Sequence, residues 1–230
     1  MPVYNEERTL EEVVRRVSTV QIPKEIILVD DGSQDQSRQI LTRLQDENNR
    51  GKDPLNQIRV VFQPYNQGKG AALKTALSHV TGDIVIIQDA DLEYDPKDYS
   101  SLLEPIQAGQ ADVVYGTRFS GGGAHRVLFF WHYVGNLALT LISNMLTNLN
   151  LSDMEVGYKV FRADVVRDID LKSKRFGFEP EITVKLAKKQ CRFYEVPISY
   201  HGRTYAEGKK ITWKDGLAAL YYLIRFRLAD

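Results

Sequence analysis

Residues 83–96 read Asp-Ile-Val-Ile-Ile-Gln-Asp-Ala-Asp-Leu-Glu-Tyr-Asp-Pro. The run Ile84-Val85-Ile86-Ile87 is short, rich in β-branched residues and unbroken by polar positions. That is the pattern of a strand covered on both faces, which is how strands of parallel sheets are placed. Three carboxylates, Asp89, Asp91 and Glu93, follow at its carboxyl end. Asp95 then stands where it can cap a helix that Pro96 opens, predicted over 96–108.

The same grammar repeats on both sides. Residues 25–30 (EIILVD) form a strand that stops at Asp31-Gly32, and 58–62 and 111–116 form two more. Helices fall between them. Thr9 with Glu12, and Ser33 with Gln36, have the spacing of capping boxes. Leu10, Val13, Val14 and Val17 recur at helical spacing, as do Ile40, Leu41 and Leu44, and 68–80 is an alanine-rich helix. Residues 47–57 read as a polar surface loop. Strand and helix in alternation predict an α/β domain, a mostly parallel, Rossmann-like sheet flanked by helices. Such sheets bind ligands at the carboxyl ends of their strands. Asp31, residues 63–70, residues 89–95 and Arg118 are placed there.

The second half is less regular. Residues 127–149 are an apolar helix in which His132, Asn136, Thr140, Ser143 or Asn144, and Thr147 fall on one stripe. An apolar segment at 156–162, a helix at 179–189, a strand at 192–199 and a final helix from Trp213 follow. No repeat, low-complexity tract or strong linker divides the chain. It is read as one domain over 1–230, with a donor-binding half (1–118) and an acceptor-binding half (119–230).

At 230 residues and 43% hydrophobic, the chain can bury a substantial core. Thirty basic residues balance thirty acidic ones, which gives no support to nucleic-acid binding. The single cysteine, Cys191, excludes an intramolecular disulfide and a cysteine-based zinc site. The start shows no secretory leader, and no stretch reads as a membrane span. His79, His125, His132 and His201 lack metal-ligand spacing. The absence of Gly-x-Gly-x-x-Gly and of a P-loop disfavours dinucleotide oxidoreductases and P-loop enzymes.

In extended backbone, Asp89, Asp91 and Glu93 share a face. Carboxylates gathered in one place repel unless a cation or proton lies between them. Oxygen-only ligands suit a hard ion, Mg²⁺ or Mn²⁺, which completes its shell with substrate phosphates. The plainer alternative is a solvated acidic loop leading into a helix.

Four motifs now stand in order: Pro2-Val3-Tyr4-Asn5-Glu6, Val29-Asp30-Asp31-Gly32-Ser33, Asn66-Gln67-Gly68-Lys69-Gly70 and Asp89-Ala90-Asp91. Together they resemble the family 2 glycosyltransferases of the GT-A fold, within them the dolichol-phosphate mannose synthase and polyprenyl-phosphate glucosyltransferase branch. The resemblance implies transfer, with inversion, of a glucose or mannose unit from a UDP- or GDP-sugar to a polyprenyl or dolichyl phosphate. It implies that Pro2, Val3, Tyr4, Glu6 and Asp31 hold the nucleoside, that Ala90 lies beside it, and that Lys69 is near the phosphates. Asp89, Asp91 and Glu93 would hold metal and ribose. Arg118, Arg126 and Arg203, with Lys209 in a 203–210 loop, would grip the lipid phosphate and the donor diphosphate. The resembled enzymes carry more apolar residues ahead of Pro2, so the first strand here is expected to be short.

A phosphomonoester oxygen is already anionic near neutral pH, its second pKa being about 6, and attacks without a general base. The leaving diphosphate is the harder part, which metal and arginines would neutralise. The helices at 127–149 and from Trp213 would then be amphipathic and lie in the membrane interface, the protein being peripheral on the cytoplasmic face; the alternative for both is core packing against the sheet. Two rivals stand. A transferase acting on a sugar or protein hydroxyl needs a base, for which Glu179, Glu181 or Asp153 are candidates, though the first two also suit a helix N-terminus. A non-catalytic nucleotide-sugar binder needs none.

Overall fold

The structure is a computed structural model describing residues 1–51, 53–120, 126–127, 129–175, 177–204 and 213–229. Its strands are β1 (Pro2–Val3), β2 (Lys24–Asp30), β3 (Asn56–Phe62), β4 (Ile84–Ile86), β5 (Val113–Thr117), β6 (Lys159–Arg162) and β7 (Phe193–Pro197). Its helices are α1 (Leu10–Thr19), α2 (Ser37–Gly51), α3 (Lys69–Leu77), α4 (Tyr99–Gln107), α5 (Phe130–Thr147), α6 (Ala163–Arg167), α7 (Phe178–Lys188) and α8 (Trp213–Leu228).

The strands form two sheets. One is parallel, in the order β1-β2-β3. The other is β4-β6-β5-β7, where β6 runs antiparallel to both neighbours and β5 parallel to β7. The antiparallel strand, β6, lies in the half of the chain where sequence periodicity is weakest. As expected, β1 is short.

The apolar spacings explain the layers. Leu10, Val13, Val14 and Val17 are the buried residues of α1, and the Ile26–Val29 run of β2 is buried on both faces. Neither predicted capping box forms. Thr9 Oγ instead donates to Glu6 Oε2 and to the Ala90 carbonyl, and Glu12 is drawn to Arg15 and Arg16. Ser33 Oγ accepts from Asn5 N, and the helix starts four residues later, at Ser37. In both cases the hydroxyl has a partner from elsewhere in the fold that replaces the local one. Asp95 does cap, accepting from Lys97 N, although a 3-10 turn at Pro96–Asp98 precedes α4.

Asp112 ties three strands at the edge of the second sheet. It accepts from Arg192 Nε and N at 3.0 Å each and from Arg162 Nη1 at 3.3 Å. The hydrogen bonds of Arg192 hold its carboxyl down at about 2. A depressed carboxyl stabilises the fold above its unfolded pKa and loses that contribution as pH falls toward the folded one. Asp112→Asn is therefore expected to be less stable than wild type at pH 6, with the two denaturation curves converging between about pH 4 and 2.

Helices α5, α7 and α8 pack on one another. The polar stripe of α5 faces inward. Asn136 Nδ2 donates to Asp153, Thr140 Oγ to Asn136 and accepts from Met154 N, and the Asn144 amide brackets Leu151. The apolar side faces out: Trp131 is 78% exposed, Leu141 61% and Met145 76%. In α8, Leu217, Tyr221 and Leu228 are exposed likewise. No helix among the described residues is long and apolar enough to cross a membrane.

Candidate active site

The carboxyl end of β4 forms the floor of the site. Gln88 is buried, and its Oε1 accepts from the hydroxyls of Tyr99 and Tyr158 at 2.8 Å each. This fixes the backbone that carries Asp89. Gly157 passes so close that a Cβ there would lie 2.6 Å from Asp89 Oδ2, so a larger residue would have to displace Asp89 or Tyr94. Its N–H donates to the Tyr94 hydroxyl oxygen at 2.9 Å.

Lys69, at the first turn of α3, spans the floor. Its ammonium lies 2.9 Å from Asp89 Oδ1 and 2.9 Å from Glu179 Oε1 on α7. Burial alone would push the lysine down, but the two carboxylates raise it well above its ordinary value. Asp31 organises the loop that leads to it, accepting from Gln67 N and Gly68 N at 2.7 Å each. Gly68 has φ +98, a conformation L side chains rarely adopt, and a Cβ would meet the Lys174 carbonyl.

The rim is held by Arg203. Its Nη2 lies 2.6 Å from Asp91 Oδ2, its Nε 3.0 Å from Glu93 Oε1, and its Nη1 3.8 Å from Glu6 Oε2. Glu93 also accepts from Arg203 N at 3.1 Å and from the Tyr200 hydroxyl at 3.1 Å, and its carbonyl accepts from His201 N. Burial, with Asp89 and Glu93 nearby, pushes the Asp91 carboxyl up to about 7 although Arg203 opposes this.

The three carboxylates of the acidic motif are therefore divided. Asp89 faces Lys69, whereas Asp91 and Glu93 share Arg203. Among the described residues, no three acidic, histidine or cysteine side chains are grouped so as to hold a metal ion. The protein's own cations draw the carboxylates apart, Asp89 toward Lys69 and the other two toward Arg203. Asp91 Oδ2 and Glu93 Oε1 nonetheless converge on a single positive group, and oxygen donors of this kind suit Mg²⁺ or Mn²⁺. The residues present fit a hard divalent ion held by two carboxylates, with substrate oxygens completing its shell.

Most of the remaining sequence candidates gather around this edge. Val3 is buried in β1, its carbonyl accepting from Asp31 N; Pro2 and Tyr4 flank it, half-buried. Ala90 is buried and contributes its carbonyl to Thr9. Arg118 is held elsewhere than expected: its Nε and Nη2 form a fork on Asp153 at 2.7 Å each, with its guanidinium 5.1 Å from the Tyr200 ring. Those two nitrogens serve a buried ion pair rather than face a phosphate. Arg126 Nη1 donates to the Gly202 carbonyl at 3.0 Å, tying the lead-in of α5 to the segment that bears Arg203. Lys209, the 121–125 glycines with His125, and the rest of 205–212 lie outside the described residues.

Two buried charged residues behind the site were not singled out from sequence. Lys159 is fully buried; its ammonium donates to the Met154 and Val156 carbonyls and lies 4.3 Å from the Tyr115 ring, and burial lowers its pKa to about 8. A lysine inside the apolar run Val156–Phe161 was the available signal. Glu155 had none.

The architecture is the GT-A fold. It matches the crystal structure of glucosyl-3-phosphoglycerate synthase from Mycobacterium tuberculosis in complex with Mn²⁺, UDP and glucosyl-3-phosphoglycerate. The TM-score is 0.71 at 19% identity, over 98% of this chain and 77% of that one. The chain belongs to glycosyl transferase family 2, which residues 1–170 match. It is similar to the low-salt glycan biosynthesis hexosyltransferase Agl6 of Haloferax volcanii, at 29% identity over 97% of this chain. It spans only about half of that relative, 52% of its length. It is also similar to the undecaprenyl-phosphate mannosyltransferase of Micrococcus luteus, at 28% identity over 91% of this chain and 85% of the relative.

Proposed function

We propose that this chain transfers a hexose from a nucleoside-diphosphate sugar to a polyprenyl phosphate at a membrane surface. One observation carries the acceptor assignment. The outward apolar face of α5, on which α8 packs, begins beside Arg126, which is bonded to the segment bearing Arg203. An apolar band beside arginines matches a ligand that is a lipid at one end and a phosphate at the other. The relatives support the reading, one being named an undecaprenyl-phosphate mannosyltransferase and the structural neighbour having been crystallised with Mn²⁺ and UDP.

In this reading residues 1–118 bind the donor and 119–230 the acceptor. Pro2, Val3, Tyr4 and Glu6 border the nucleoside, and Asp31 shapes the 67–69 loop. Lys69 holds Asp89 in place and faces the diphosphate. Asp91 and Glu93 would hold a divalent ion, which when bound neutralises charge on the leaving diphosphate. Arg203, released from these carboxylates, moves to phosphate, and Arg126 orients the acceptor. The acceptor phosphate is its own nucleophile.

The hydroxyl-acceptor alternative lacks a poised base among its three candidates. Glu179 is bonded to Lys69, Asp153 to Arg118, and Glu181 to Lys185 and to the backbone N–H groups of Lys172 and Ser173.

The test is transfer to a short-chain polyprenyl phosphate at saturating nucleotide sugar. Arg126→Ala is expected to lose roughly ten- to a hundred-fold, the worth of one charge-assisted contact, with donor affinity nearly intact. Arg203→Ala should lose transfer and change donor binding as well. Full transfer by Arg126→Ala would sink the lipid-phosphate assignment.

Membrane docking is tested separately. Wild type should sediment with anionic vesicles and be released by alkaline carbonate. Leu141→Glu with Met145→Glu, both on exposed positions, should stay in the supernatant while melting like wild type. Equal sedimentation of the variant would exclude α5 as the docking face.

A further inference from the structure

The two oxygens of Glu93 have different partners. Oε1 accepts from Arg203 Nε at 3.0 Å and from Arg203 N at 3.1 Å, whereas Oε2 accepts from the Tyr200 hydroxyl at 3.1 Å. A phenol has an ordinary pKa of about 10, so near neutrality it keeps its proton and donates. The Glu93 side chain remains open to solvent, 15% exposed.

Tyr200 is itself held from several directions. Its ring lies 5.4 Å from that of Tyr94, and the two residues form an antiparallel backbone bridge. The guanidinium of Arg118, forked on the buried Asp153, stands 5.1 Å from the ring centre. The next amide, His201 N, donates to the Glu93 carbonyl at 2.8 Å. The hydroxyl thus reaches Glu93 from a fixed support. This constrains Arg203 as well. A guanidinium and a carboxylate left to themselves pair as a fork, two N–H groups on two oxygens. With Oε2 held by Tyr200, the Arg203 side chain meets Glu93 through Oε1 and turns its Nη2 to Asp91 Oδ2.

We infer that Tyr200 is a positioning residue for the divalent ion: its hydroxyl holds Oε2 of Glu93, so that Oε1 stays aimed, with Asp91 Oδ2, at the place Arg203 fills in the free protein. This rests on the function proposed above, in which those two carboxylates take the ion. Ligating carboxylates are themselves oriented by outer hydrogen bonds, and losing such a bond costs roughly ten- to a hundred-fold in metal affinity. Without the hydroxyl, Glu93 is free to swing and to close a complete fork with Arg203, which the ion must then open.

The experiment is a Mn²⁺ titration of the full chain, into the millimolar range, at a fixed concentration of UDP or GDP, whichever wild type binds. Free Mn²⁺ is read by electron paramagnetic resonance. The proteins are wild type, Tyr200→Phe, Glu93→Gln and the double variant, and nucleotide affinity in EDTA and melting temperature are measured for each. Tyr200→Phe keeps the ring and its contacts with Tyr94 and Arg118. It is expected to weaken Mn²⁺ at least about ten-fold while nucleotide affinity in EDTA and melting temperature stay at wild-type values. In the Glu93→Gln background the same change should add little, because the hydroxyl acts through that carboxylate. A merely structural tyrosine would instead lower the melting temperature and shift nucleotide affinity in EDTA. Unchanged Mn²⁺ affinity in Tyr200→Phe would overturn the inference, and so would losses that simply add in the double variant. If wild type takes up no Mn²⁺ with either nucleotide, the metal site proposed above fails and this inference with it. Wild-type uptake that is indifferent to Tyr200 refutes the inference alone.

Discussion

Asp91→Ala is expected to abolish the metal-dependent part of nucleotide-sugar binding while leaving the fold intact. Asp91 sits on the rim, its carboxylate shared between Arg203 and the field of Asp89 and Glu93. Nothing in the core leans on it, and its removal relieves a crowd of like charges. Circular dichroism and melting temperature should therefore match wild type. With the metal site proposed above, the functional loss is expected to be large, because Glu93 alone would remain to clamp the ion. It should exceed the roughly 100-fold that losing even an outer partner of a metal ligand costs. Titrating UDP- and GDP-sugars with and without Mn²⁺ measures it. A variant whose affinity still rises on adding Mn²⁺ would remove Asp91 from the metal site.

The second large effect is on stability. Asp153 is fully buried and receives both the Nε and Nη2 of Arg118, its backbone N–H and the Asn136 amide. Asp153→Ala would leave a guanidinium buried without its counter-charge, and breaking a buried pair on one side costs about 3–5 kcal/mol. It would also unhook α5, which Asn136 ties to the same carboxylate. Urea denaturation should show the loss. Asp153→Ala combined with Arg118→Met should recover much of it, since removing both charges abolishes the orphan. A single variant within about 0.5 kcal/mol of wild type, the usual range for harmless surface changes, would show that the pair is solvated.

How much of this could be read from the sequence follows a physical divide. Segments whose signal is local came through: the Ile26–Val29 and Ile84–Ile87 runs, and the Asp95-Pro96 helix start. Which residues cluster at the edge also followed, because alternation of strand and helix fixes where strand ends lie. Partners distant in sequence did not. The Thr9 and Ser33 hydroxyls had reasonable local uses and took tertiary ones instead. Nothing local announces that Arg118 meets Asp153, thirty-five positions on, or that Arg203 covers the acidic motif more than a hundred positions before it. The stripe on α5 was visible as a pattern, but periodicity does not tell which face points inward. Packing decides that, here in favour of the polar face. Glu155 is invisible locally because its distinction is a buried oxygen without a hydrogen-bond partner among the described residues, which only the surrounding fold can define.

The outward face of α5 also governs how the protein behaves in a tube. Thirty acidic and thirty basic residues cancel, so near neutrality molecules lack the mutual repulsion that keeps most proteins apart. Phe130, Trp131, Leu141 and Met145 meanwhile remain uncovered in water. Attraction without repulsion favours self-association, most strongly near pH 7 and in sulfate, which strengthens apolar contact. A mild detergent, a lipid nanodisc or a buffer well away from neutrality supplies what plain buffer lacks, and colloidal stability becomes a direct readout of whether that helix face is covered.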